Sequence, residues 1–305
     1  MTADVVVVTW HSGERVLRCL ERLASQQPPE RTFVVDNASR DGTVEALRAR
    51  FPDVRVLELP ENRGFGAGVN AGAALGDGEA LVLVNDDVEV SEGFVRALIA
   101  PLEGDPRCGM VAGMTTIPGS AEVDAFGIEL DVTLAAYNRL RHRLPDARPG
   151  RLAMPSGGAA AYRRAAFEQV GGFDERLIAY GEDVDLGLRL RLAGWTARDA
   201  PNARGEHAGG ASVGVGSPRE RELAGFARGF LLARYGVLRT RALARTLAFE
   251  ALVIGWGIAR HRTLTPLRAR VRGYRAAGGE RLRAPREAID TTIGWRTALG
   301  RLRAR

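Results

Sequence analysis

The chain has 305 residues, 45% hydrophobic and 26% charged, enough for one large or two modest domains with a real core. Those values exclude a disulfide-stapled mini-protein, a collagen-like fibre and a wholly disordered chain. The net charge of +6 hides a split: residues 1–218 carry 31 acids and 23 arginines (net −8), and residues 219–305 carry 20 arginines and 6 acids (net +14).

Residues 4–10 (DVVVVTW) predict a buried strand closed by His11-Ser12-Gly13. No basic segment precedes this run, so no cleaved signal peptide is expected. Val16, Leu17, Leu20 and Leu23 give residues 12–25 helical spacing. Residues 32–36 form a second strand ending at Asn37-Ala38-Ser39, and Asp41-Gly42-Thr43 caps a helix over 43–51. A third strand covers 54–59. A glycine-rich stretch and a helix over 67–75 follow, and the apolar strand 80–84 runs into Asn85-Asp86-Asp87. Strands alternating with helices imply βαβ units on a mainly parallel sheet, where ligands bind at the carboxyl ends of strands. The polar clusters at 9–12, 36–39 and 85–87 all fall at such ends. Beyond about residue 110 the pattern loosens into a loop-rich insert with weak strands over 115–150. A strand at 156–163, a short helix at 164–170 and a helix over 181–192 come next, the last opening with Glu182, Asp183 and Asp185. Residues 205–217 read as a glycine-rich loop around His207, and residues from 220 onward as mostly helical.

Two adjacent carboxylates at Asp86 and Asp87 repel unless a cation or solvent offsets them, and Mg²⁺ typically binds through one or two carboxylates plus substrate phosphates. The same residues also fit a solvated Asx turn. Asp36, Asn37 and Ser39 supply a carboxylate, an amide and a hydroxyl that suit a nucleobase edge and a ribose, or again a turn. Three acids at the start of 181–192 exceed what one helix dipole needs, so one is a candidate general base. Residues 64–68 (GFGAG) imitate a dinucleotide fingerprint but follow the third strand rather than the first. They read as a close approach of backbone to ligand, not as NAD binding. Cys19 and Cys108 form no CxxC and no Cys/His cluster, which excludes a zinc ribbon.

In order, the segments 5–14 (VVVVTWHSGE), 34–43 (VVDNASRDGT), 61–72 (ENRGFGAGVNAG), 83–90 (LVNDDVEV), 155–195 (opening PSGGAAAYRR) and 206–212 (EHAGGAS) resemble glycosyltransferase family 2. The nearest likeness is to its rhamnosyltransferase-like branch, which builds bacterial surface polysaccharides. The resemblance implies an α/β GT-A fold, a Rossmann-like, mixed and mainly parallel sheet flanked by helices, over residues 1–218. Residues 1–110 would be the nucleotide-binding half and 111–218 the acceptor and catalytic half, with 219–305 a basic helical region. It further implies an inverting hexosyltransferase using Mg²⁺ or Mn²⁺. The donor would be a nucleotide-diphosphate sugar, dTDP-rhamnose in the leading reading, and the acceptor a hydroxyl of a polyprenyl-linked cell-wall glycan. Thr9, Asp36, Asn37 and Ser39 would hold base and ribose, and Asn62, Gly64, Phe65, Asn70 and Gly158 would shape the nucleotide-sugar wall. Asp86 would contact sugar or ribose, and Asp87 with His207 would hold the metal. Asp183 would be the catalytic base, with Glu182 orienting sugar or acceptor. Trp10-His11 and Asn85-Asp86 depart from the Tyr-Asn and Asn-Pro common in the family, without removing a required donor or ligand. UDP-galactofuranose or a UDP-hexose as donor stay open, as does a nucleotide-binding protein without catalysis.

Residues 246–259 are the most apolar stretch, interrupted by Glu250 and flanked by Arg239, Arg241, Arg245, Arg260 and Arg262. They fall short of the roughly 20 residues that span a bilayer. They fit a helix in the headgroup layer of an anionic membrane, or one packed on the catalytic domain or on a second subunit of a homo-oligomer. The expected location is cytoplasmic, peripheral at the inner face of the cell membrane. A nucleic-acid partner is not expected, since the basic tail carries no recognition motif or stacking aromatic series.

Overall fold

A computed structural model describes residues 1–26, 31–209, 214, 216–279 and 281–303. β1 (Ala3–Thr9), β2 (Arg31–Asp36), β3 (Arg55–Glu58) and β4 (Ala80–Val84) alternate with α1 (Glu14–Ala24), α2 (Thr43–Arg50) and α3 (Phe65–Ala73). β5 (Val88–Val90), α4 (Phe94–Gly104), β6 (Cys108–Thr116), β7 (Val123–Ala125), β8 (Ile128–Leu130) and β9 (Ala136–Asn138) follow. Then come β10 (Ala159–Arg163), α5 (Arg164–Gln169), α6 (Glu182–Leu192) and β11 (Thr196–His207). The chain closes with α7 (Pro218–Arg234), α8 (Leu243–His261), α9 (Thr265–Ala276) and α10 (Trp295–Arg303).

The main sheet runs in the order β3-β2-β1-β4-β10-β6-β11-β5, with β7 paired to β6. β3, β2, β1 and β4 are parallel, β10 is antiparallel to both β4 and β6, and β11 is parallel to β6. The carboxyl ends of β1, β2, β4, β6 and β11 therefore share one side of the sheet. Every residue of β1 is buried, because each face of the sheet is covered. Val6 and Val8 pack with α3 and α6, and Val5 and Val7 pack with α1 and α4. Burying each such side chain contributes roughly 1.5–3 kcal/mol.

The glycines of α3 let that helix lie directly on the strands. A Cβ on Gly68 would meet Val8 at 2.6 Å, and one on Gly72 would meet Val6 at 2.5 Å.

Two expectations change. Residues 205–207 are not loop: they end β11, which the neighbours β6 and β5 hold in place although its sequence has no strand pattern beyond buried Ala197, Ala200 and Ala203. Of the rest of that predicted loop, residues 210–213 and 215 lie outside the described residues. The loosened region beyond residue 110 also contains most of β6, a nine-residue strand buried at all but its last position.

The basic tail packs on the body. Arg234 pairs with Asp174 at 2.5 Å and Asp185 at 3.3 Å, and the Tyr235 hydroxyl donates to Asp185 at 2.9 Å. Arg245 pairs with Asp131 at 3.1 Å. Among the described residues no helix is long and apolar enough to cross a membrane.

Candidate active site

The carboxyl ends of β1 and β4, the turn before β10, the start of α6 and the end of β11 enclose a cavity of about 790 Å³. Thr9, Asn37, Asn62, Gly64, Phe65, Asp86, Asp87, Gly158, Glu182, Asp183 and His207 line it. Asp36, Ser39 and Asn70 do not.

Backbone pairing fixes the first corner. β11 meets β5 with His207 opposite Val88, and the Ala208 N–H donates to the Asp87 carbonyl at 3.1 Å. His207 Nε2 then lies 3.2 Å from Asp87 Oδ1, and Nδ1 lies 2.8 Å from Asp124 Oδ2. Burial opposes protonation of this imidazole, but the Asp124 and Asp87 carboxylates more than offset it and push the pKa up to about 10. Among the described residues no group of three or more His, Cys, Asp or Glu gathers for a metal. Asp87 and His207 are two convergent donors, which fits an ion completing its shell with diphosphate oxygens. The imidazole's far nitrogen is held by a carboxylate, as is usual for metal-bound histidines. Beside them Asp86 is raised by burial, with Thr9 and Ser12 hydroxyls lowering it and the Asp87 charge raising it.

The second corner is the first turn of α6. Gly181 sits in the left-handed region at φ 78° and turns the chain so that Glu182 and Asp183 face the cavity. The Gly157 N–H donates to Asp183 Oδ2 at 2.8 Å, leaving Oδ1 buried without a hydrogen-bond partner among the described residues. Glu182 Oε2 is likewise buried and has no partner among the described residues. Burial raises both carboxyls, and the Asp183 charge adds to the shift at Glu182. The third acid, Asp185, turns away and pairs with Arg189 at 2.7 Å.

The nucleotide-side residues are largely tied to one another. Asp36 Oδ2 accepts the Ser39 N–H at 2.8 Å, and Ser39 Oγ accepts the His11 N–H at 2.8 Å, so the loops after β1 and β2 are joined. Asp36 Oδ1 is left buried with no partner among the described residues. Asn37 donates to the Gly64 carbonyl at 3.1 Å, and Asn62 accepts the Gly64 N–H at 2.9 Å. Asn70 donates to the Phe173 carbonyl at 3.0 Å and accepts its N–H at 2.9 Å. Five residues along a helix turn it by about 140°, so Asn70 cannot share the cavity-facing side of Phe65. The close approach expected at Gly64 is made to protein: a Cβ there would sit 2.3 Å from the Ile178 carbonyl oxygen. His11, Ala38 and Tyr180, in the loops after β1 and β2 and before α6, hold positive φ of 49°, 64° and 66°. Each such non-glycine position costs about 1–3 kcal/mol, strain that typically gathers at functional sites.

Sequence reasoning missed Asp124, the Gly157 N–H, Tyr180 and Arg219, all at the cavity. Asp124 is a lone acid in a weakly patterned insert, the Gly157 contribution is backbone, and Arg219 is one of many arginines in the tail. None carried a local signal.

The family model of glycosyl transferase family 2 matches residues 4–171, more than half the chain, and that of the N-terminal domain of galactosyltransferase matches residues 149–208. An N-acetylglucosaminyl-diphospho-decaprenol L-rhamnosyltransferase of Mycobacterium tuberculosis is 34% identical over 232 residues, which is 67% of this chain and 75% of that protein. The crystal structure of GalNAc-T7 with UDP, GalNAc and Mn²⁺ matches with a TM-score of 0.60 at 16% identity, over 87% of this chain and 58% of that one. The mannosyltransferase PcManGT of Pyrobaculum calidifontis, with GDP-Man and Mn²⁺, gives 0.53 at 21% identity, over 91% and 76%. The likeness to these structures concerns the fold. With the sheet described above and the family match, the chain belongs to glycosyltransferase family 2 and is a glycosyltransferase of GT-A fold.

Proposed function

We propose that the chain transfers rhamnose from a nucleotide-diphosphate donor, with inversion, to a hydroxyl of a polyprenyl-diphosphate-linked glycan in cell-surface polysaccharide synthesis. The observation that carries this reading is Asp183 Oδ1, without a partner among the described residues and held in the same cavity as the Asp87–His207 pair. The name and 34% identity of the mycobacterial relative support rhamnose and a lipid-linked acceptor.

Asp87 and His207 would hold Mg²⁺ or Mn²⁺, which when bound would offset the charge growing on the leaving diphosphate. Thr9 and Asp86 would face base, ribose and sugar from the cavity wall, Asp36 holds the neighbouring loop through the Ser39 N–H, and Asn37 and Asn62 brace the loop carrying Gly64 and Phe65. Gly157 fixes the Asp183 carboxylate through Oδ2. Oδ1 takes the proton of the acceptor hydroxyl as its oxygen bonds to the anomeric carbon and the bond to diphosphate breaks on the opposite face. A raised pKa brings this base nearer to neutral pH, where proton transfer is more effective. Glu182 beside it orients sugar or acceptor. The galactosyltransferase-type match at residues 149–208 favours a second reading, a UDP-hexose donor on the same machinery.

The test measures nucleotide diphosphate release from dTDP-rhamnose, UDP-galactofuranose and a UDP-hexose with a polyprenyl-diphosphate N-acetylglucosamine acceptor. Turnover is expected with dTDP-rhamnose. In Asp183→Asn the amide oxygen still accepts the Gly157 N–H, so nucleotide affinity stays while turnover falls about 10²–10⁴-fold. Equal turnover in variant and wild type would remove Asp183 from the mechanism.

A further inference from the structure

α8 is amphipathic in the opposite sense to a surface helix. Before its last turn its charged residues point inward: Glu250 is buried and paired with Arg228 at 2.6 Å and Arg270 at 2.7 Å, and Arg245 reaches Asp131. Its outer side carries no charge, since every exposed residue from 243 to 259 is Leu, Ala, Gly or Trp. Leu247 is 52% exposed, Leu252 50% and Trp256 72%. At the start of α9 Leu264, Leu267 and Val271 are exposed as well, where a Cβ on Gly257 of α8 would lie 3.8 Å from Pro266 of α9. Contiguous exposed apolar surface of this kind marks an interaction site rather than the ordinary scatter of single residues.

Charge decides between occupants. Exposed arginines bracket α8 at both ends, Arg239 and Arg241 before it, Arg260 in its last turn and Arg262 just after it, and Arg268 and Arg275 lie on α9. Glu250 is the single acid between residues 239 and 276, and it is already paired inside. A second copy of this chain laid on the same face would bring arginines against arginines with no free acid to offset them. An apolar face with a basic rim matches anionic headgroups over acyl chains. The surface also adjoins the cavity. Arg219 and Leu223 of α7 line its mouth, Glu222 between them pairs with Arg272 of α9, and Arg221 lies close enough to His261 for their charges to interact.

We propose that the outer face of α8 and the adjoining start of α9 dock on an anionic lipid bilayer, which turns the cavity mouth toward an acceptor anchored in that bilayer. The orientation rests on the lipid-linked acceptor proposed above; the docking does not.

Full-length protein is sedimented with vesicles of phosphatidylcholine alone and of phosphatidylcholine with phosphatidylglycerol, with no donor or acceptor present. Wild type is expected to pellet with the anionic vesicles at low salt and to be released by high salt. Trp256→Gln with Leu252→Gln, and separately Arg260→Glu with Arg262→Glu, should each weaken binding roughly tenfold or more. All four positions are exposed, so both variants should keep the wild-type thermal midpoint and full transfer to a water-soluble acceptor, while losing transfer to a vesicle-embedded one. Three results overturn the proposal: wild type ignoring anionic vesicles at low salt, both variants binding like wild type, or a wild-type dimer in sedimentation velocity that Trp256→Gln splits. Vesicle binding without any sugar transfer would refute the proposed reaction and leave the docking surface standing.

Discussion

An imidazole between two carboxylates has its ring orientation set from both sides, and His207 is in that position, with Asp87 on Nε2 and Asp124 on Nδ1. Arg141 stands 3.7 Å from Asp124, which favours its charged form. In the proposed metal site Asp124 would act through the histidine, as a positioning residue. Asp124→Asn keeps the volume but removes the charge that would make the imidazole a better ligand in that site. Mn²⁺ affinity, followed by electron paramagnetic resonance with nucleoside diphosphate present, is expected to fall about 10–100-fold. An unchanged affinity would show that Asp124 merely packs there. Asp87, Asp183 and His207 were legible because each sits in a segment whose residue types already suggest chemistry. Asp124 was not, because only the pairing of β7 with β6 brings it to the histidine.

At the scale of elements, glycine marks where two backbones touch. A Cβ on Gly273 of α9 would lie 1.9 Å from the Phe226 carbonyl oxygen of α7, and one on Gly229 would lie 1.9 Å from the Arg270 carbonyl oxygen. The contact is backbone against backbone, so no side chain can rotate to make room. Gly273→Ala should cost about 1–3 kcal/mol or more and lower the thermal midpoint. Gly255→Ala on α8 meets nothing within 4 Å and should be neutral or stabilise by up to about 1 kcal/mol. Thermal unfolding of the two variants side by side checks this, and equal midpoints would refute the tight α7–α9 contact. The helices of the tail were readable from composition. Which of their faces turn inward was not, since Glu250 in an apolar run looks like an interruption until Arg228 and Arg270 are seen around it.

At the scale of the molecule, the basic tail and the acidic body meet through buried ion pairs rather than by diffuse attraction. Asp174 shows the consequence. Burial raises its pKa, but Arg176 and Arg234 outweigh that and hold the carboxyl well below its ordinary range. The folded state therefore binds fewer protons here than the unfolded chain. The contribution is full above the unfolded value of about 3.9 and is lost as the pH falls toward the folded value. Asp174→Asn should cost about 2 kcal/mol near neutral pH, a deficit that narrows as the medium is acidified below about pH 4. Urea unfolding of both proteins across that range measures it, and a deficit constant with pH would assign the loss to packing alone.

Periodicity, strand ends and the order of polar clusters were local properties, so the chain by itself determined the βαβ beginning, the GT-A expectation and a set of candidate residues most of which line the cavity. What the tertiary structure decided was everything that depends on partners far away in the chain. Sheet neighbours made a strand of residues 196–207, a backbone amide at Gly157 oriented Asp183, and Asn70 was drawn to Phe173 instead of the cavity. The physical reason is common to these cases: a hydrogen bond or a buried face belongs to two segments at once, and a sequence shows only one of them at a time.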